Sequence, residues 1–419
     1  MSKPKKLKVA LIHDYLAEYG GAERVLEVLH DIFPEAPLFT AFVDKDRLGV
    51  QWQRFADWQI QESWLTKIPG YKKLFSPLRI WAPSYFSQFD LTGFDLIISS
   101  TNAYFAKAIK VPKGSKHICY CHTPSRSLWG YSTMTDWKKN PIIRWGGELI
   151  NHYLRIKDLE IARKNVDLFI ANSKETQRRI KKFYRLKSEV VYPPVKVAER
   201  LPVVKGEIVD QVYTLVSGNS GILNQVLDDK RSGDSKILDP HLRQDRQVSH
   251  DDQEGYYLYV NRLAWSKHPE MAVEVCTTLN LPLKVVGSGK MLDQLKAMAG
   301  PTIEFCGFVP DRKLADLYLG ATALLYPVAD EDFGMIPVEA MGYGLPVIAH
   351  RSGGPLESII DGKTGVFFDD LSVAGLSKAI EQHQKLKLDK KAIHKQARQF
   401  SEERFKDQIS GLINKLLTA

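Results

Sequence analysis

The chain has 419 residues, 44% of them hydrophobic and 26% charged, a balance ordinary for folded protein and a length beyond what one hydrophobic core organises, so two domains are expected. No run of about 18 uncharged apolar residues occurs, and the opening MSKPKKLKVALIHDY passes from lysines straight into a strand-like segment, which predicts a chain kept in the cytoplasm. The formal net charge of +9 gathers in the first half: residues 1–195 hold 31 Lys and Arg against 19 Asp and Glu, the remainder 27 against 30. Such a field suits nucleic acid, anionic lipid or a phosphorylated substrate. No helix-turn-helix, zinc-finger or RNP-like signature accompanies it, so no nucleic-acid partner is expected.

Apolar runs alternate with longer amphipathic segments, the pattern of a parallel α/β sheet covered by helices. In the first half the predicted strands are LKVALIH, PLFTAF, DLIISS, KHICYCH, DLFIANS and SEVVY. The first is followed by YLAEYGGAER, where Gly20 and Gly21 form a strand-to-helix turn. Residues 52–89 then hold ten of the chain's aromatics, including Trp52, Trp58, Trp64 and Trp81, interleaved with Arg54, Lys67, Lys72, Lys73 and Arg79. Two readings stand side by side: a membrane-surface face, with rings at headgroup depth and lysines on anionic lipid, or core aromatics beside solvated charges.

Cys119, Cys121 and His122 share a strand end, but no second ligand pair follows at a zinc-like spacing, so no metal is expected. The four cysteines, with Cys276 and Cys306, read as buried thiols of a reducing compartment. The basic run from Lys174 to Lys187 reads as an exposed helix face. Tyr192-Pro193-Pro194-Val195 is a stiff extended exit, which closes a first domain at residues 1–195.

Residues 196–255 read as a linker or insertion of unclear structure; from Lys205 they are rich in Asp, Gln, Ser, Arg and Gly, and no task is assigned to them. The second domain, 256–400, repeats the strand pattern in YYLYVN, LPLKVVG, TIEFCG, ATALLYP, LPVIAH and GVFF. Phe405, Ile409, Leu412, Ile413 and Leu416 recur at helical spacing and predict a helix over 401–419.

The densest chemistry lies in PVADEDFGMIPVEAMGYGLPVI. A buried strand runs into an acidic turn at Glu331 and Asp332, and a helix is predicted from near Pro337. A helix start after a parallel strand presents unpaired N–H groups and positive dipole to the crevice at the strand ends, where phosphorylated ligands bind. Gly334 lets a diphosphate approach the backbone, and Glu331 and Glu339 stand where two carboxylates bracket a nucleotide sugar.

Glu331 to Glu339 resembles the E-x7-E signature of retaining glycosyltransferases of family 4, and AMGYGLPVIAHRSGGPLESIIDGKTGVFF resembles the same family, as does Val260-Asn261-Arg262-Leu263 with Lys267 beyond it. The resemblance spans nearly the whole chain except 205–255. It implies the GT-B architecture: two Rossmann-like domains facing a central cleft, an acceptor-side first domain, a donor-binding second domain and a C-terminal helix crossing back to the first.

It further implies that Arg262 and Lys267 neutralise the donor diphosphate, where fixed cations stabilise charge on the leaving phosphates and no metal or other cofactor is required. Asp330-Glu331-Asp332 only mimics a metal clamp. Glu331 would contact the transferred sugar, Glu339 the ribose, and the backbone of Phe333, Gly334, Met335 and Ile336 the sugar and phosphates. Gly287 with Phe308 and Val309 would flank the base. Gly20 and Gly21 resemble the acceptor-side glycine loop. His122, in YCHTP with SRSLW downstream, resembles the active-site histidine of mannosyltransferase-type members.

The implied reaction is retaining transfer of a hexose, mannose first, from a donor such as GDP-mannose to a hydroxyl of a glycan or lipid-linked acceptor, at the inner membrane face if the aromatic patch binds lipid. The alternative is an epimerase or hydrolase of the nucleotide sugar with the same fold.

Overall fold

The computed structural model describes residues 7–102, 105–131, 141–201 and 255–418. The expected insertion, except residues 196–201 and Gly255, lies outside them.

Strand β1 (Val9–His13) is buried along its whole length, as a central parallel strand covered on both faces must be. With β2 (Leu38–Thr40), β3 (Ile60–Glu62), β4 (Leu96–Thr101), β5 (Lys116–Cys121), β6 (Leu168–Ala171) and β7 (Glu189–Val190) it forms a parallel sheet of order β3-β2-β1-β4-β5-β6-β7. The second sheet contains β8 (Tyr256–Val260), β9 (Leu283–Val286), β10 (Ile303–Gly307), β11 (Ala321–Tyr326), β12 (Val347–His350) and β13 (Gly365–Phe368), in the order β10-β9-β8-β11-β12-β13. These are two open Rossmann-like α/β sheets, as the sequence predicts. In each half the first strand lies beside the fourth, so each sheet has a switch point where a crevice opens at the carboxyl ends of its strands.

All twelve predicted strands are present, and β3 is an addition. Its three residues, IQE, lie at the sheet edge with no buried member, so no apolar alternation marks them.

Alternate side chains of β1 serve opposite faces: Val9 and Leu11 join Leu26, Leu29 and Ile98, whereas Ala10 and Ile12 join Phe39, Tyr85 and Phe86. Phe55, Tyr85 and Phe86 are fully buried, and Trp52, Trp58 and Trp64 pack against these clusters, so the core reading accounts for most aromatics of 52–89. Trp81 departs from it, at 51% exposed. The four cysteines are free thiols, and Cys119, Cys121 and Cys276 are buried as expected, whereas Cys306, on the edge strand β10, is only partly buried.

Five helices frame the cleft and its neighbourhood: α1 (Gly21–Ile32), α2 (Pro141–Asn165), α3 (Lys174–Phe183), α4 (Met335–Gly342) and α5 (Glu402–Thr418). The last inserts Phe405, Ile409 and Ile413 into the core of the first sheet, with the Phe405 ring edge-on to Tyr120. The chain therefore crosses between the domains twice. The two crossings lie side by side, joined by Val195 N–H donating to the Phe400 carbonyl at 2.9 Å.

Candidate active site

Beyond β8 the chain leaves the second sheet at its switch point through Asn261 and Arg262. Gly287, with φ +132°, lies directly on this turn: a Cβ there would stand 1.9 Å from the Asn261 carbonyl oxygen. Only glycine permits that approach. A 3-10 turn, Trp265–Lys267, then carries the Lys267 ammonium onto the Glu331 carboxylate. Burial pushes the Glu331 carboxyl up, but Lys267, supported by Arg126 and the Tyr326 hydroxyl, holds it below its ordinary value.

The loop bearing Glu331 rests on Gly353 and Gly354. Gly354 N–H donates to the Glu331 carbonyl at 2.8 Å, and a Cβ on either glycine would stand 2.3 Å from a backbone oxygen of Glu331 or Phe333. Phe333 turns its ring into the core against Tyr192 and Phe400, so it has only backbone to offer the cleft. Gly334, with φ +84°, opens α4 at Met335, two residues ahead of the predicted start. Pro337 thus sits inside the first turn, where its missing N–H breaks no helical bond. Among the described residues no side chain caps this helix start, and Met335 and Ile336 are partly buried beside it. One turn on, Glu339 receives the Arg24 guanidinium and the Tyr318 hydroxyl, the latter at 3.5 Å.

The first domain supplies the opposite wall. Gly20 caps α1, and a Cβ on Gly21 would stand 3.0 Å from Met335 Sδ, so the glycine turn abuts the start of α4. Glu18, on the same loop, pairs with Arg262 at 3.2 Å. The structure thus brings Gly20, Gly21, Arg262, Lys267, Gly287, Glu331, Gly334, Met335 and Glu339 to one crevice between the domains. Phe308 and Val309 stand farther out at the end of β10, Phe308 exposed and Val309 buried. Gly287 N–H donates to the Gly307 carbonyl at 2.8 Å, which ties that edge to the Arg262 turn.

The acidic triplet diverges. Asp332 turns toward the first domain, where Arg126 reaches it at 3.2 Å and the Arg179 guanidinium also binds it. Ser173 Oγ donates to the Asp332 carbonyl at 2.6 Å. Among the described residues no group of three or more His, Cys, Asp and Glu is gathered as a metal site.

His122 follows β5, almost buried, with Nε2 at 2.9 Å from Ser100 Oγ. Burial, with His13 nearby, pushes its pKa down to about 3, so the imidazole is neutral at physiological pH. Its neighbour Thr123 accepts from Arg179 at 3.2 Å and so connects it to the Asp332 contact. Glu18, Arg24, Arg126 and Arg179 were not singled out as site residues in the sequence. Glu18 and Arg24 flank Gly20-Gly21, and Arg126 lies four residues past His122; proximity to those motifs was the available signal.

Residues 242–400 match the family model described as Glycosyl transferases group 1, and residues 44–199 match Glycosyltransferase Family 4. The chain is similar to alpha-1,3/1,6-mannosyltransferase alg2 of Schizosaccharomyces pombe, 26% identical over 387 residues that cover 87% of this chain and 71% of the relative. It is also similar to the GDP-mannose-dependent alpha-mannosyltransferase of Mycolicibacterium smegmatis, 34% identical over 112 residues that cover 26% of this chain and 29% of that protein. Other curated relatives are likewise matched over only 30% to 34% of their own length. Sucrose-phosphate synthase from Thermosynechococcus elongatus has the same fold, with a TM-score of 0.64 at 17% identity, covering 99% of this chain and 100% of that one. A cleft of this construction between two switch points, and two family models that meet in one chain, place the protein in glycosyltransferase family 4, with the GT-B fold.

Proposed function

We propose that the enzyme transfers a hexose, mannose first, from GDP-mannose or a similar nucleotide diphosphate sugar to a hydroxyl of a glycan or lipid-linked acceptor, retaining anomeric configuration and without a metal ion. The observation that carries this reading is the pairing of Lys267 with Glu331 ahead of the start of α4, with Arg262, on the turn before Lys267, paired to Glu18 of the first domain. Glu18 pairs with Arg262 at 3.2 Å, and in this reading a donor phosphate displaces its carboxylate from the guanidinium.

Cleaving the sugar–diphosphate bond develops charge on the leaving phosphates, which two fixed cations and a helix N-terminus stabilise more in the transition state than in the ground state. The acceptor hydroxyl attacks the anomeric carbon from the face the diphosphate leaves, and its proton passes to a phosphate oxygen. The sugar–oxygen bond to phosphate breaks as the new glycosidic bond forms, with no side-chain nucleophile. Glu331 orients the sugar, Glu339 the ribose once Arg24 releases it, and neutral His122 faces the sugar from the first domain. Mannose is favoured by the relatives named for mannose transfer.

Incubation with a panel of nucleotide sugars tests this. Wild type should release nucleoside diphosphate only with an acceptor, and Glu331→Ala and Lys267→Ala should each slow release about a hundredfold. Equal release by wild type and both variants would contradict the reading. Rapid turnover of donor alone, with product identified by NMR, would favour the isomerase or hydrolase.

A peripheral membrane contact belongs to the same proposal. On α2, Trp145, Leu149, Tyr153 and Ile156 are exposed at spacings of four, four and three, which places them along one face. Arg144, Arg155 and Lys157 lie on the same helix, and a bare apolar stripe with cations beside it suits an anionic lipid surface. The stripe replaces the buried aromatics of 52–89 as the contact, with Trp81 as an addition.

A further inference from the structure

Beneath the glycine turn four buried polar side chains form one line. Strands β1 and β4 pair with His13 opposite Ser100. Ser100 Oγ lies 3.1 Å from His13 Nδ1 and 2.9 Å from His122 Nε2, and His13 Nε2 lies 3.4 Å from Glu23 Oε1. The other oxygen of Glu23 accepts from Gly20 N–H at 2.9 Å. All four side chains are at most 8% exposed.

The proton positions along this line follow from its ends. An ionised carboxylate only accepts, so His13 Nε2 donates to Glu23 and, in the imidazole form, Nδ1 accepts. With His13 as the imidazole, the single Ser100 hydroxyl proton points to His13, and Ser100 Oγ accepts from His122 Nε2. That fixes the His122 proton on Nε2 and leaves Nδ1 as a lone pair, which no hydrogen bond engages among the described residues.

We propose that Glu23, His13 and Ser100 are a positioning relay that holds His122 as its Nε2–H tautomer, so that Nδ1 accepts a hydrogen bond from a hydroxyl of the transferred sugar. The proposal rests on the glycosyltransferase reading and adds to it a specific requirement on three residues outside the donor site. It also explains why the glycine turn and the histidine act together: the carboxylate that caps α1 at Gly20 is the one that orients the relay.

Glu23→Gln has a defined consequence. Gly20 N–H demands the amide oxygen, so the amide NH2 faces His13 Nε2, which must then accept; His13 Nδ1–H donates to Ser100, and Ser100 donates to His122 Nε2. The His122 proton moves to Nδ1. Ser100→Ala cuts the line instead and releases the tautomer to a mixture.

Two-bond 1H–15N spectra of the full chain labelled in histidine, with the His122 signals identified by their loss in His122→Gln, read this directly. Wild type should show the Nε2–H pattern, Glu23→Gln the Nδ1–H pattern and Ser100→Ala averaged shifts. In both variants kcat should fall about tenfold, the scale of one hydrogen bond, while affinity for free nucleoside diphosphate stays within about twofold. An Nε2–H pattern unchanged in both variants, or an unchanged kcat in both, would overturn the relay. The spectra need no substrate, so a wild type that turns over no nucleotide sugar would sink the transferase reading and leave the relay to be decided by the tautomer alone.

Discussion

His117 and His122 are both buried, at opposite ends of β5, and burial pushes their pKa values down to about 4 and about 3. In the unfolded chain an imidazole binds its proton near pH 6.5. Between these values the unfolded state carries more protons, so the stability they contribute is complete above about pH 6.5 and is lost as the pH falls, by about 2 kcal/mol for each at pH 5. Denaturant unfolding at pH 7 and pH 5 should show that loss, with His122→Gln recovering about half of it. An identical pH dependence in the two proteins would contradict the assignment. Among site residues, those legible in the sequence sit in continuous motifs, because Glu331, Gly334 and Glu339 keep a fixed spacing along one loop and helix. Arg24 was not legible as the partner of Glu339, from which 315 positions separate it, because only the folded cleft brings them together.

The segment between β4 and β5 is tied to α2 by a buried ion pair. Lys107 Nζ lies 2.6 Å from Asp158 Oδ1, and Trp129 Nε1 and the Tyr184 hydroxyl donate to Oδ2 at 3.1 and 2.8 Å. Burial pulls the Lys107 pKa down, but Asp158 outweighs it and the group is pushed up to about 12. Removing one partner leaves a buried charge unpaired, so Lys107→Met should cost about 3–5 kcal/mol in equilibrium unfolding. Lys107→Met with Asp158→Leu should cost less than the single change, and a larger cost for the double variant would contradict the pairing. At this scale the sequence reveals every central strand because burial on both faces writes a continuous apolar run. It hides β3, a partly exposed edge strand, and misplaces the start of α4 by two residues because the positive φ of Gly334, not Pro337, ends the loop.

The two domains meet through several polar contacts whose members come from opposite halves. Besides Arg24 with Glu339, the first N–H groups of α3 at Lys174 and Glu175 donate to the Glu357 carboxylate at 2.8 and 3.0 Å, a carboxylate set on a helix start. These polar pairs were not legible in a linear reading, which expects Gly20, Gly21 and His122 to face the donor residues but not the contacts that join the two walls. The exposed face of α2 also belongs to the whole molecule. Sedimentation with vesicles of phosphatidylglycerol and phosphatidylcholine should capture the wild type and not a Trp145→Asp, Leu149→Asp variant, and phosphatidylcholine alone should capture little of either. Equal capture of wild type and variant would move the contact elsewhere.

The central claim is that this cleft grips a sugar diphosphate through Arg262 and Lys267, and calorimetric titration with nucleoside diphosphates and their monophosphates, GDP with GMP and UDP with UMP, tests it most directly. At least one diphosphate should bind about tenfold or more tightly than its monophosphate, a difference of about 1.4 kcal/mol, and Arg262→Ala and Lys267→Ala should abolish that preference. A preference that survives in both variants, or a wild type that binds none of the four, would contradict the account.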